Sequence, residues 1–216
     1  MKLYGYWRSS CSYRVRIALA HKGLEVEHAA VHLVRDGGEQ HAEGFTRKNP
    51  MGQVPVLELE RDGAVVQLGQ SVAILEYLEE AHPEPPLLPS DPWLRARARQ
   101  LTEIVNAGIQ PLQNLRVMQA LDRQHGVDAK GWSRGHIHAG LLAFQAVCEG
   151  VAGRYCVGDA VSFADCALIP QLYNARRFGI DVEKELPLLH RIDEACGALE
   201  AFQVAHPDRQ HDAQPS

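Results

Sequence analysis

The sequence contains no C-x-x-C pair, no apolar run approaching the roughly 20 residues that span a bilayer, and no excess of basic charge. Its five cysteines, Cys11, Cys148, Cys156, Cys166 and Cys196, are odd in number and widely spaced. That argues against a disulfide framework and against a zinc ribbon, and the five read as reduced, mostly buried thiols. The first residues, MKLYGYWRSSCSYR, lack the apolar stretch and small-residue cleavage site of a secretory signal. The cytoplasm is therefore the expected compartment, with no membrane partner. A formal net charge of −5 gives no general attraction to nucleic acid, although basic residues gather in Trp93–Arg99 and at Arg176-Arg177. Eleven histidines include His136-Ile137-His138. On a helix those two rings point about 200° apart, so no metal site is expected.

What the sequence does have is a change of texture. Its 216 residues, 45% of them hydrophobic, can bury a core of one large or two small domains. The first eighty residues or so alternate between strand-like and helix-like segments, and almost everything after residue 92 reads as helix. Between them, HPEPPLLPSDP (82–92) holds Pro83, Pro85, Pro86, Pro89 and Pro92, which break helix and strand alike. The expected division is an α/β domain over 1–81, a linker over 82–92, a helical domain over 93–205 and a frayed polar tail over 206–216.

Within the first domain, Lys2–Trp7 is a strand candidate, and Ser12–Lys22 runs as helix toward Gly23, a helix stop. Val26–Val31 is a weaker strand and Glu39–Arg47 a helical turn or two. Val54–Glu60 joins Ala64–Leu68 through Arg61-Asp62-Gly63, a hairpin signal, and Ser71–Ala81 is a helix with Ile74, Leu75 and Leu78 on one face. The order βαβαββα is that of the thioredoxin fold. Beyond the linker, amphipathic helices are expected over 93–121, 131–150, 163–177 and 187–202, with no alternating strand pattern. Ser162-Phe163-Ala164-Asp165 has capping-box form. Pro170 inside the following pattern should kink that helix or remove a hydrogen bond.

Three turns carry chemistry. Ser9-Ser10-Cys11-Ser12 lies between the first strand and first helix, where backbone amides favour an anion. An ordinary N-cap, which a single serine would satisfy, explains the same residues. Asn49-Pro50-Met51-Gly52-Gln53-Val54-Pro55 is a loop before a strand, the place where a thioredoxin fold puts a cis proline. Val54 would then offer its N–H and C=O to an extended peptide, unless this is a plain loop. Gln70-Ser71 opens the next helix and can hold a carboxylate or merely cap it. The three together, followed by a helical bundle, point to a glutathione site.

Ser9–Leu19, SSCSYRVRIAL, resembles the signature of the zeta-class glutathione transferases, the family of the maleylacetoacetate isomerases. Asn49–Pro55, QSVAILEYL (70–78), QPLQNL (110–115), YCVGD (155–159) and Leu199–Gln203 with His206-Pro207 resemble the same family in order and spacing, and the likeness covers nearly the whole chain. It implies a thioredoxin-like domain with an all-α partner, glutathione as cofactor, a dicarboxylate substrate, a homodimer, and a place in tyrosine and phenylalanine catabolism. It also implies glutathione contacts from Ser9, Ser10, Cys11, Ser12, Tyr13, Arg14, Gln40, Val54, Gln70, Ser71, Gln110 and Asn114, continued by Leu115 and Arg116. Arg116 and Gly69 depart from the family pattern. Arg8 and Arg177 are the candidates for the substrate carboxylates, since a guanidinium binds a carboxylate in bidentate fashion. Each can instead be a surface charge.

The activity implied is cis-to-trans isomerisation by reversible thiolate addition to an alkene. Ser10 is the expected main hydroxyl at the thiolate, Cys11 a neighbour that tunes it, and Ser9 the alternative. Other readings are a maleylpyruvate isomerase, a general glutathione transferase that also dehalogenates α-haloacids, and a non-catalytic binding module.

Overall fold

The computed structural model describes residues 1–214. The chain forms two compact units, Met1–Pro86 with the segment from Leu199 onward, and Leu87–Ala198. The first unit therefore takes back the end of the chain, a difference from the division expected at residues 81 and 93.

The first unit is built on a sheet of order β2-β1-β3-β4. Its strands are β1 (Lys2–Gly5), β2 (Glu27–Ala30), β3 (Val56–Arg61) and β4 (Ala64–Gly69). Strand β2 runs parallel to β1, while β3 runs antiparallel to both β1 and β4. Helix α1 (Ser10–His21) separates β1 from β2, α2 (Glu43–Thr46) precedes β3, and α3 (Ser71–Ala81) follows β4. The expected βαβαββα order stands. The Glu39–Arg47 segment divides into a 3₁₀ turn at Glu39–His41 and the short α2.

The sheet buries Leu3 on β1 and Val56 and Leu57 at the start of β3, while Lys2 and Glu58 beside them are not buried. Helix α3 presents Ile74, Leu75 and Leu78 to the core, all fully buried. Burying one such side chain contributes about 1.5–3 kcal/mol. At the far ends of α1 and α3, the fully buried Lys22 Nζ donates to Glu79 Oε2 (2.9 Å), the His82 carbonyl (2.7 Å) and the Pro85 carbonyl (2.9 Å). All three ammonium protons thus have acceptors, which is what makes a buried lysine tolerable.

Of the 206–216 stretch, expected to fray, residues 206–214 are described and belong to the first unit, and residues 215–216 lie outside the described residues. Helix α10 (Glu200–Ala205) packs on α1. The buried Arg16 Nε donates to the Ala205 carbonyl at 3.0 Å, and the His206 ring meets Tyr13 edge-on at 6.0 Å. Polar composition suggested a loose tail. Arg16, an arginine in the middle of an apolar helix, is what ties it down.

The second unit holds α4 (Pro92–Glu103), α5 (Leu115–His125), α6 (Ala129–Cys148), α7 (Phe163–Arg177), α8 (Val182–Glu185) and α9 (Pro187–Gly197). The single helix expected over 93–121 is interrupted. A π-helical turn, Ile104–Ile109, follows α4, and α5 restarts with Asn114 as its cap. Pro111 lacks the N–H that a continuous helix needs, and Asn114 Oδ1 accepts from the Arg116 N–H at 3.0 Å. The expected helix over 187–202 also breaks, at Ala198-Leu199, into α9 and α10.

Helix α7, by contrast, runs unbroken through Pro170, because every residue from Phe163 to Leu172 is buried and packing outweighs one lost hydrogen bond. Its start is fixed by Asp165, whose carboxylate accepts from the Ser162 N–H (2.8 Å), the Ser162 hydroxyl (2.8 Å) and the Cys156 N–H (2.9 Å). Burial pushes the Asp165 carboxyl up, and those donors oppose the rise.

Candidate active site

Strand register gathers the three turns at one edge of the first unit. Tyr4 pairs with Val56, and Val56 with Gly69, so the end of β1, the start of β3 and the end of β4 lie side by side. Arg8–Cys11, Val54-Pro55 and Gln70-Ser71 extend from those three points. The parallel partner β2 ends at the same edge, where the Val31 N–H donates to the Gly5 carbonyl at 2.7 Å, and the chain continues from there to Gln40.

The serine turn separates into distinct jobs. Ser9 is the N-cap of α1, its Oγ accepting from the Ser12 N–H at 3.2 Å. Ser12 is fully buried and its Oγ accepts from the Tyr6 N–H at 3.3 Å. Gly5 allows this, since a Cβ there would press on Ser12. Ser10 occupies the first helical position, half-buried, and its hydroxyl bonds to no described residue. Cys11 beside it is half-exposed. The ordinary-cap explanation is thus met by Ser9 alone, and Ser10 is left over at the positive end of a helix of 12 residues.

Val54-Pro55 is a cis peptide bond, as the sequence suggested, and Val54 joins no hydrogen bond among the described residues. Its N–H and C=O are available to an extended ligand. Asn49 braces the loop that presents them: its Nδ2 donates to the Gln53 carbonyl (2.7 Å) and its Oδ1 accepts from the Met51 N–H (3.1 Å). Asn49 also packs on Gly69, where an added Cβ would touch its amide at 3.4 Å, so the glycine keeps room for the brace. Sequence reasoning named the Asn49 loop but not this role.

Gln70 adopts φ +67°, ψ 110°, the left-handed region that a non-glycine residue enters at a cost of about 1–3 kcal/mol. It leaves the side chain exposed and places Ser71 at the head of α3. Ser71 Oγ accepts from Arg14 Nη1 at 3.0 Å, and both residues are buried. A guanidinium can only donate, so the serine's own proton is left for another acceptor. A carboxylate at this turn would receive that proton, the first amides of α3 and the field of the buried Arg14 charge. Arg14, expected as a glutathione contact, reaches this turn through its bond to Ser71.

Tyr13 is likewise buried, with the Arg16 guanidinium 5.4 Å from its ring centroid. Gln40 is buried beside Gly38, whose φ of +105° and absent Cβ leave space for the amide. Gln40 Nε2 donates to the Leu33 carbonyl at 3.3 Å, and Oε1 has no partner among the described residues. An orphaned buried carbonyl, a free peptide edge and an unused hydroxyl are each groups that a bound peptide can satisfy. The residues of this unit therefore fit glutathione. Arg8 lies with its guanidinium 4.6 Å from the Trp7 ring centroid.

The remaining candidates belong to the second unit. Gln110 closes the π-helical turn, its N–H donating to the Val105 carbonyl at 2.9 Å, and Asn114, Leu115 and Arg116 form the exposed start of α5. Sequence reasoning missed the pair that holds this segment: Gln113 and Gln171, both buried, exchange amide bonds at 2.8 and 3.1 Å. Arg177 is exposed at the end of α7, its Nη1 donating to Asn174 Oδ1 at 2.9 Å, and its neighbour Arg176 pairs with Asp193 at 2.5 Å. The His136 ring lies tilted against Trp132, centroids 4.4 Å apart, and His138 pairs with Glu185 at 2.9 Å, so the two rings serve different partners. Cys148, Cys156, Cys166 and Cys196 are buried, and burial pushes the Cys156 and Cys196 thiols up, away from reactivity.

Residues 1–80 match the model of the glutathione S-transferase N-terminal domain, and residues 134–199 that of its C-terminal domain. The chain is 49% identical over 210 residues to maleylacetoacetate isomerase of Rattus norvegicus, covering 97% of this chain and 94% of that one. It is also similar to a maleylacetoacetate isomerase from Anaeromyxobacter dehalogenans crystallised with dicarboxyethyl glutathione and citrate in the active site. That match has 51% identity, a TM-score of 0.90, and coverage of 99% of this chain and 97% of the other. The holo structure of maleyl pyruvate isomerase, a bacterial glutathione S-transferase of the zeta class, is 42% identical with a TM-score of 0.92, covering 99% and 100% of the two chains.

Proposed function

We propose, since the chain belongs to the glutathione S-transferase family and within it to the zeta-class maleylacetoacetate isomerases, that it converts maleylacetoacetate to fumarylacetoacetate with glutathione as cofactor. The observation that carries this reading is the division of labour in the first turn: Ser9 caps the helix and Ser10 does not. Bound glutathione supplies a thiolate that adds to one alkene carbon, lets the resulting single bond turn, and leaves again with no net redox change.

The protein's task is to keep that sulfur ionised and the substrate held. A free thiol has a pKa of about 8.5, and lowering it by about two units takes roughly 2.7 kcal/mol of preference for the anion. The Ser10 hydroxyl and the α1 amides provide donors for it, with Cys11 tuning the surroundings. Val54 holds the peptide edge, Gln40 accepts from an amide, and Ser71, aimed by Arg14, donates to a carboxylate. Gln70, Gln110, Asn114, Leu115 and Arg116 complete the cofactor contacts. Arg8 and Arg177 take the substrate carboxylates and the enolate charge that develops during turnover. The enzyme works as a cytoplasmic homodimer in tyrosine and phenylalanine breakdown.

The second reading is a maleylpyruvate isomerase, favoured by the likeness to the holo structure of that enzyme. Purified protein given maleylacetoacetate or maleylpyruvate, with and without glutathione, separates these readings by loss of the cis chromophore. Faster turnover of maleylacetoacetate, seen only with glutathione, is expected. Preference for maleylpyruvate would select the second reading, and turnover of neither would leave a transferase or a binding module.

A further inference from the structure

The end of the chain reaches the catalytic turn. Asp212, from a stretch whose composition suggested fraying, has its Oδ2 3.0 Å from the Trp7 backbone nitrogen and accepts that N–H. The Trp7 carbonyl accepts from Arg16 Nη2 at 3.0 Å, and the same guanidinium holds α10 through the Ala205 carbonyl. Both backbone groups of Trp7 are therefore tied by charged side chains, which make stronger bonds than neutral ones. The Trp7 ring is buried, and the guanidinium of Arg8 lies over its face. One residue further, the Ser9 N–H donates to the Tyr6 carbonyl at 3.0 Å, so the turn from Tyr6 to Ser9 is clamped before α1 begins.

We propose that the C-terminal segment is a strap for the active-site turn and that Asp212 is a positioning residue for Arg8. Arg8 is a long, flexible side chain whose carboxylate-binding geometry depends on where it rests. Its resting place is the Trp7 face, and the orientation of Trp7 is fixed by the Asp212 and Arg16 bonds. The sulfur-holding groups, Ser10 and the α1 amides, lie beyond the Ser9 cap and do not depend on Asp212. The strap thus acts on binding of the dicarboxylate substrate far more than on glutathione. This inference rests on the assignment of Arg8 to the substrate carboxylates.

Three proteins test it: the full chain, Asp212→Ala and Asp212→Asn, the last keeping an amide oxygen that can accept the Trp7 N–H. Hydrogen exchange over residues 6–9 reads the clamp. Calorimetric titration with citrate, an unreactive polycarboxylate, reads Arg8, and titration with glutathione is the internal control. Asp212→Ala should exchange faster over 6–9, bind citrate about fivefold more weakly and bind glutathione within about twofold of the full chain, with Asp212→Asn restoring most of both losses. Unchanged exchange in Asp212→Ala overturns the strap. Faster exchange with unchanged citrate affinity, or an equal loss of glutathione binding, overturns the link to Arg8. If the unaltered protein binds neither citrate nor glutathione, the isomerase reading itself fails, a result that the exchange arm keeps separate from failure of the strap.

Discussion

Ser9 and Ser10 are adjacent and chemically identical, yet the fold asks different things of them. Ser9 satisfies an amide of α1 and should behave as a cap: Ser9→Ala should cost about 1 kcal/mol in urea unfolding. Ser10 spends nothing on the fold, so Ser10→Ala should leave stability within about 0.5 kcal/mol of the parent and lower the ionised fraction of bound glutathione. Ultraviolet absorbance of the thiolate reads the second effect, and an unchanged fraction would remove Ser10 from its role. Arg14 and Ser71 form the other residue-scale case. If Arg14 acts through Ser71, then Arg14→Met and Ser71→Ala each weaken glutathione binding, while the double variant loses little more than the worse single one. Additive losses, measured by calorimetry alongside thermal unfolding, would mean that Arg14 works independently of the serine.

At the scale of elements, α7 depends on a buried carboxylate. Asp165→Ala strips the Ser162 and Cys156 amides and the Ser162 hydroxyl of their common acceptor in a fully buried place. The expected loss is about 2–4 kcal/mol, visible in urea unfolding, and a change below about 0.5 kcal/mol would contradict it. This start was legible in Ser162-Phe163-Ala164-Asp165, because a capping box is a local pattern. So were the order of elements along the chain and the three turns of the first unit, where turn residues and short apolar runs act over a few positions. The break in the 93–121 pattern was less legible. Pro111 was in view, but nothing nearby signals that Gln113 finds Gln171 and stabilises the irregular segment from a distance. The same reason hid α10 and the tail: Arg16 and Asp212 are long-range partners, 189 and 205 residues from the backbone groups they hold, and no window of sequence contains both ends.

For the molecule as a whole, acid should loosen the unit that carries the serine turn. His21 is half-buried and His28 is exposed on β2, and the partial desolvation of each lowers both pKa values, aided by Lys22 beside His21 and by Arg16 and His211 beside His28. A histidine whose folded pKa lies below its unfolded value of about 6.5 binds more protons when unfolded. Its neutral form favours the fold above that pH, and stability falls as pH drops below it toward the folded value. Melting temperature should therefore decline from pH 7 toward pH 5, and His21→Gln with His28→Gln should flatten that decline; an identical slope in the double variant would assign it to other groups. Above stability stands the chemistry, in which glutathione is used and returned. The most direct test supplies one glutathione for every hundred or so molecules of maleylacetoacetate, well below stoichiometry for a co-substrate. Complete conversion to fumarylacetoacetate with the thiol recovered intact is the predicted result, and conversion that stops at one equivalent, or proceeds as fast with none, would contradict it.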